Sequence, residues 1–232
     1  MQHLSNRLSA SERREQILSV AMGLFAQRGF QGTTTRQIAE RAGVNEAILF
    51  RHFPRKEDLY WAILDGKSRR ARARERLEAQ LRAAPDEQEA FAAVAEDILR
   101  RNTEDPTLGR LLLFSALENH RLSHRFFRTH VARYYEALAR HIRQGIHAGR
   151  FRRVDPLVAA RGFLGMVVYH FLIQELFGGR RYQKFDRRHV CRTLAEIWLK
   201  GMRVPGRRRA NSPRVLHPQN VRIRRASKKE RG

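Results

Sequence analysis

Apolar side chains recur at helical spacing through nearly all of residues 9–202, and β-branched residues nowhere alternate over enough positions to make a strand. The first helix opens on Ser9-x-x-Glu12, the spacing of a capping box. It carries Ile17, Leu18, Ala21, Leu24 and Phe25 as one apolar stripe. It ends at Gly29, placed for the left-handed residue after a helix, with Phe30 folding back on the last turn. A second helix starts where Thr34-x-x-Gln37 repeats the capping spacing, turns Ile38, Ala39 and Ala42 inward, and stops at Gly43.

The next stretch, GVNEAILFRHF, holds barely two turns of helix between a glycine and Pro54. Val44 is a buried wedge and Asn45 the expected N-cap. Pro54 ends the helix, because the residue before a proline is pushed away from helical angles. Helices shorter than ~12 residues are marginal alone in water, so this one must be held by neighbours. Leu24, Phe25, Phe53 and Leu59 are the expected mount, and Ile38, Ala39, Val44, Ile48, Leu49 and Phe50 read as packing.

A longer helix is expected over residues 56–84, with the strongly basic middle KSRRARARERLEAQLR read as a solvated face. Continuous with both expected domains, it would serve as the lever between them. Further helices are expected over residues 86–103, 106–117, 122–148, 155–178 and 187–202. Beyond Val204 prolines and arginines replace periodicity, which predicts disorder. The longest apolar run, residues 157–177, contains Arg161, His170, Gln174 and Glu175. A membrane span needs ~20 predominantly apolar residues, so a buried helix explains the run better.

The apolar content of 42% is ample for a core, and the single cysteine, Cys191, allows no disulfide within the chain. Cys191 lies among Val190, Leu194 and Ile197 and reads as inert packing. The opening residues lack the apolar core of a signal peptide, so a reducing, cytoplasmic setting is expected. The formal charge is +24, a field that attracts polyanions such as nucleic acid or an anionic membrane surface. Residues 203–232 hold eleven Lys/Arg against one Glu, whereas the first sixty residues hold nine against six Asp/Glu. Charge alone therefore does not locate a site.

Two short helices joined through Gly43 form a helix-turn-helix, whose second helix lies in the DNA major groove. That groove is ~12 Å wide, and the first turns of one helix suffice to read a few base pairs. Length is unnecessary; rigid mounting is not. The stretch from Arg14 to Tyr60, matched through ILSVAMGLFAQRGFQGTTTRQIAERAGVNEAILFRHFPRKEDLY, resembles the N-terminal domain of TetR-family transcriptional regulators (TetR/AcrR type). The resemblance covers about a fifth of the chain; the later helices match the family in number, order and apolar character.

The resemblance implies an all-α fold: a three-helix DNA-binding domain over residues 9–54, a larger helical ligand-binding and dimerisation domain over 55–202, and a basic tail over 203–232. It places Asn45, Glu46 and Ala47 at base edges, with Arg36 beside them. Asn can pair with adenine, Glu can accept from cytosine, and Ala can sit against a thymine methyl. Thr34, Thr35, Arg51, His52 and Lys56 are the expected phosphate contacts, Lys56 matching a family lysine at the start of the fourth helix. Two departures stand out. Phe50-Arg51 replaces a tyrosine pair common in the family. Arg55 replaces the usual Ser, Asn or Asp before the lysine and cannot cap a helix, although Asp58 could reach back to the backbone.

In the larger domain Phe91, Ile98, Phe114, Phe127, Tyr134, Phe163 and Tyr169 are candidates to line a pocket for a small lipophilic ligand; a filled core is the alternative. Residues 155–178 and 187–202 look like the two family helices that pair across a homodimer. Gly162 and Gly165 inside the first of them would allow close approach of another helix. His120 and His124 have metal-binding spacing but no clustered partners, so they read as ordinary histidines, and no metal or cofactor is expected. No G-x-S-x-G, P-loop or Rossmann fingerprint occurs, which speaks against an enzyme. The expected function is a ligand-responsive repressor of palindromic DNA. A sequence-tolerant nucleoid protein and a ligand-free structural dimer are its rivals.

Overall fold

The computed structural model describes residues 8–118 and 121–204. The basic tail beyond Val204 and His120 lie outside the described residues. Every regular element among the described residues is helical, apart from one isolated antiparallel bridge between Phe151 and Arg203. The helices are α1 (Ala10–Arg28), α2 (Thr35–Arg41), α3 (Glu46–His52), α4 (Lys56–Ala71), α5 (Ala73–Ala83), α6 (Glu87–Glu104), α7 (Thr107–Leu117), α8 (Arg121–Phe126), α9 (Ala132–His147), α10 (Pro156–Phe171) and α11 (Arg187–Met202). π-Helical turns continue α8 through Phe127–Val131 and α10 through Leu172–Leu176.

The termini follow local chemistry. Ser9 and Glu12 make both bonds of the capping box on α1, and Gly29 closes the helix with φ +73°. Thr34 and Gln37 do the same for α2, and the Asp155 and Asp186 side chains cap α10 and α11.

Contacts divide the chain into two compact units, one drawn from Met1–Ala79 with Arg101–Ala137, the other from Gln80–Arg100 with Leu138–Gly232. The first unit takes in α4, α7 and α8 as well as α1–α3. Its core joins Ile17, Leu24, Phe25, Ile38, Leu49, Phe53, Leu59, Leu111 and Phe126 in one cluster. At its centre Phe25 and Phe30 each meet the Tyr60 ring edge-on, at 4.9 and 5.3 Å, a geometry that adds ~0.5–1.5 kcal/mol per pair beyond burial. The Tyr60 hydroxyl donates to the Leu111 carbonyl at 2.7 Å, so even the polar tip is satisfied.

The helix expected over residues 56–84 is broken. Arg72 sits in the left-handed region (φ 44°, ψ 41°), where a non-glycine residue costs roughly 1–2 kcal/mol. Its N–H still finds the Arg69 carbonyl at 3.2 Å, so no backbone bond is lost there. Neither proline nor glycine marks the position. The Ala, Arg and Glu around it favour helix, so local propensity does not account for the break. The expected lever is therefore two helices rather than one. The basic run along it is partly neutralised, Lys67 pairing with Asp105 and Arg69 with Asp65.

In the second unit Phe91 is fully buried against Phe163 (4.9 Å), Trp198 (4.3 Å) and Phe151 (6.4 Å). The Trp198 indole N–H donates to the Ala159 carbonyl at 3.0 Å, tying α11 to α10. Glu87 accepts from Arg150 at 3.0 Å and lies 2.8 Å from the His141 ring nitrogen. Burial pushes the Glu87 carboxyl up, but these partners hold it below its ordinary value.

The expectation of a buried helix over residues 157–177 holds for one face only. α10 buries Ala160, Phe163, Leu164, Val167 and Phe171, and leaves Val158 66% and Tyr169 65% exposed. Pro156–Leu176 is long and apolar enough to cross a bilayer by composition, yet its inner face packs on α11. Cys191 is buried, and burial pushes its thiol up to about 12; Ile197, expected beside it, faces outward instead.

Candidate nucleic-acid interface

The α2–α3 pair is set by short-range bonds that the sequence spells out. Gly43 takes φ +63°, and the Val44 N–H then returns to the Ala39 carbonyl at 3.0 Å, which fixes the turn. Asn45 caps α3, its Oδ1 accepting from the Ile48 N–H at 2.8 Å. Thr35 Oγ1 donates to Glu46 Oε1 at 2.6 Å, which locks the start of α2 to the start of α3. Leu49 is fully buried beneath α3, and Phe53 just past its end is nearly so. Burying such a side chain is worth ~1.5–3 kcal/mol, so these two hold a seven-residue helix that could not stand alone. Val44 and Ile48, expected as core, are only half-buried.

With that anchor, Asn45, Ala47, Phe50 and Arg51 are exposed, while Glu46 and His52 are half-buried. Phe50 was expected to pack, but 41% of it is exposed. The reason is angular: it follows Ala47 by three positions and so shares its outward face, with Arg51 beside them. That spacing was the available signal, and its apolar ring hid it.

The remaining expected contacts are already engaged. Arg36 is exposed on α2 and pairs with Glu40 at 2.9 Å. Thr34 is exposed, its hydroxyl accepting the Gln37 N–H at 3.2 Å. Lys56 Nζ donates to the Phe30 and Thr33 carbonyls, both at 2.8 Å, and lies 4.1 Å above the Phe30 ring. Burial lowers the pKa of its ammonium. An ammonium has three donors, so one remains beyond these two carbonyls. Arg55 makes no cap to α4; its guanidinium instead meets both oxygens of Asp58, at 3.1 and 3.0 Å. That hydrogen bond holds the Asp58 carboxyl below its ordinary value.

The chain is similar to known proteins over both this region and the later helices. Residues 17–63 match the family described as bacterial regulatory proteins, tetR family, and residues 89–200 match the AefR-like transcriptional repressor, C-terminal domain. The chain belongs to the TetR family. The nucleoid occlusion factor SlmA of Glaesserella parasuis is 24% identical over 189 residues, 77% of this chain and 90% of that protein. The HTH-type transcriptional regulator RutR of Escherichia coli is 48% identical over 56 residues, 24% of this chain and only 26% of its own length. Among solved structures, FadR from Bacillus subtilis in complex with stearoyl-CoA superposes with a TM-score of 0.64 at 21% identity, covering 81% of this chain and 98% of that one. The protein is thus a TetR-family DNA-binding transcriptional regulator.

The aromatic residues expected around a TetR-type ligand pocket are divided between the two units. Phe114, Phe127 and Tyr134 belong to the first compact unit, Phe91, Ile98, Phe163 and Tyr169 to the second. Phe91 and Phe163 are fully buried, ring against ring. Ile98 is buried, Phe114 and Tyr134 are half-buried, and Phe127 and Tyr169 are on the surface. Large apolar residues with helical spacing announce burial; they do not say whether the buried volume is filled. A cavity of about 200 Å³ in the second unit is lined instead by Glu87, Gln88, Gly149, Arg150, Phe151, Leu199, Arg203 and Val204.

Proposed function

We propose that this TetR-family regulator is a repressor that binds a palindromic operator as a homodimer in the cytoplasm and is released by a small apolar ligand. The observation that carries the reading is the bare face of α10. Val158, Gly162, Gly165 and Tyr169 form one outward stripe, and a Cβ built on either glycine would meet nothing within 4 Å. Glycine inside a helix costs about 1 kcal/mol against alanine. Nothing among the described residues requires it here, and a closely crossing helix from a second copy would. Exposed Ile197 and Gly201 on α11 extend the stripe. One seven-residue α3 reads too few base pairs for specificity, and a two-fold axis doubles the site.

Within each half-site Asn45, Glu46, Ala47 and Arg36 contact bases, and Thr34, Thr35, Arg51, His52 and Lys56 contact phosphates. The internal bonds are consistent with finer roles. Glu46 orients Thr35, and Lys56 offers its third donor to a phosphate while the other two hold the preceding turn. The apolar ligand is supported by the stearoyl-CoA bound to the FadR relative in fold, and 55–202 is the domain that would take it.

Selection of bound duplexes from a random pool tests the reading. A two-fold symmetric consensus and a dimeric mass in solution are expected; an asymmetric consensus bound by a monomer refutes it. The rival is a sequence-tolerant, nucleoid-type protein, favoured by the likeness to SlmA and by the charge of +24. Its signature is equal affinity for selected and random DNA at physiological salt. A chain ending at Met202 separates the two, since a tail that meets only phosphates adds ~0.9 to the log–log salt slope for each one neutralised and leaves the consensus unchanged.

A further inference from the structure

We infer that Glu118 is a positioning residue for DNA binding, holding from outside the helix-turn-helix the turn that sets α2 and α3. Glu118 directly follows α7, 88 residues from the turn it grips. Its Oε2 accepts the Phe30 N–H at 3.1 Å, and both carboxylate oxygens lie 3.3–3.4 Å from the Gln31 nitrogen as acceptors. On the other side of the same residue, Lys56 Nζ donates to the Phe30 carbonyl at 2.8 Å. The Phe30 ring is stacked on Phe25 and meets Tyr60 edge-on, so Phe30 is fixed at its N–H, its carbonyl and its ring at once.

The turn has been shaped to admit the carboxylate. Gly29 has φ +73°, and a Cβ there would collide with Glu118 Oε1 and press on the Phe114 ring. Arg110, one helix turn earlier on the same face of α7, donates to the Ala26 carbonyl at 3.1 Å, so α7 also grips the last turn of α1. From Phe30 the chain passes Thr33, whose hydroxyl donates to the Gly29 carbonyl at 2.9 Å, and enters α2 at Thr34. Two charged groups on opposite sides of one peptide thus decide where α2 begins, and Thr35 passes that setting to α3 through Glu46.

The inference rests on DNA being read through α3, and charge separates it from a purely stabilising role. Removing a carboxylate from a DNA-binding surface strengthens phosphate attraction on electrostatic grounds. A loss of affinity after Glu118→Ala therefore reports lost geometry. The test uses the full chain, the duplex it enriches from a random pool, and a scrambled duplex of equal length. Affinities are measured well below the melting temperature of each variant.

Glu118→Ala should weaken the enriched duplex by about tenfold or more, the scale of losing charge-assisted hydrogen bonds, and leave the scrambled duplex unchanged or tighter. Glu118→Gln keeps one acceptor oxygen and should recover part of the selectivity. Gly29→Ala, which expels the carboxylate, should mimic Glu118→Ala and add less than its full effect in the double variant. Wild-type selectivity in folded Glu118→Ala, or equal losses on both duplexes, overturns the inference. If Glu118→Ala does not fold, Glu118→Gln decides by the same two duplexes. A wild-type chain that enriches no duplex sinks the functional reading and this inference together, whereas a selective wild type with unchanged variants sinks the inference alone.

Discussion

α3 and α10 each bury one face and leave the other bare, and their bare faces are chemically opposite. α3 turns out Ala47, Phe50 and Arg51, with Asn45 at its cap. α10 turns out Leu157, Val158, Arg161, Gly162, Gly165, Val168 and Tyr169. A duplex is a hydrated polyanion with hydrogen-bonding edges, so a surface that meets it needs donors, a charge and modest length. A second copy of the same helix is mostly apolar along its stripe, Arg161 being the one charged side chain exposed there, so the surface that meets it needs length and small residues. The contrast also explains the anchoring. α3 is fixed by bonds at its start and by one buried Leu49 with Phe53 just beyond it, and α10 by a continuous row of buried side chains.

The sharpest way to break the contrast is to place a charge on the apolar stripe. Gly165→Arg meets open space within one chain, so folding should survive. In the proposed dimer it would bury two like charges near the axis. Sedimentation should find a monomer, and affinity for the selected duplex should fall by about 100-fold or more as the two half-sites lose their linkage. A variant that stays dimeric with normal affinity would remove α10 from the interface.

On α3 the matching test is Arg51→Ala. As a phosphate contact, Arg51 should weaken all duplexes alike and lower the salt slope by about 0.9. A loss confined to the selected duplex, with one base position relaxed, would instead place the guanidinium on a base edge. Either result separates charge from readout on the same helix face.

Asn45 needs two substitutions, because it caps α3 and is also the proposed contact to a base. Asn45→Ala should cost about 1 kcal/mol of stability through the lost cap and also blur one base position. Asn45→Asp keeps an oxygen for the Ile48 N–H and loses only the amide donor. It should melt like the wild type and still alter the selected base. An unchanged consensus for Asn45→Asp would confine Asn45 to capping.

What the sequence could show follows the range of the forces involved. Capping pairs at Ser9 and Glu12, Thr34 and Gln37, and the cap at Asn45 are bonds across three residues, and each forms as its spacing predicts. The limits of α11 agree with expectation for the same reason. The left-handed Arg72 has no local signature, since favourable helix formers surround it. Phe50 misleads because hydrophobicity reports what a side chain tolerates and not which way its helix faces. Glu118 lies 87 and 88 residues from the amides it binds, and no periodicity connects them. A ligand pocket is hard to read from sequence for a related reason: aromatic content predicts a core, and only packing tells a filled core from a lined cavity.

The smallest expected effect lies on the mounting side of α3, where Arg55 stands in place of a capping residue. Judged by its own chemistry, Arg55→Ser should stabilise α4, because a serine oxygen can accept a first-turn N–H that Arg55 leaves without a side-chain cap. The structure opposes that gain with the two hydrogen bonds from Arg55 to Asp58, which the serine would lose. Both groups are on the surface, where solvent screens such a pair heavily. The melting temperature at neutral pH should therefore rise slightly or stay level. The pH dependence is more telling. Asp58 is held below its ordinary 3.8 chiefly by the Arg55 hydrogen bond, so the pair supports the fold above that pH. Its support is lost as pH falls through the depressed value. Arg55→Ser should accordingly flatten the wild-type loss of stability in that acid window while leaving neutral stability almost unchanged. A clear fall in melting temperature at neutral pH would mean that the Arg55–Asp58 pair outweighs the cap and is part of what holds α3 in place.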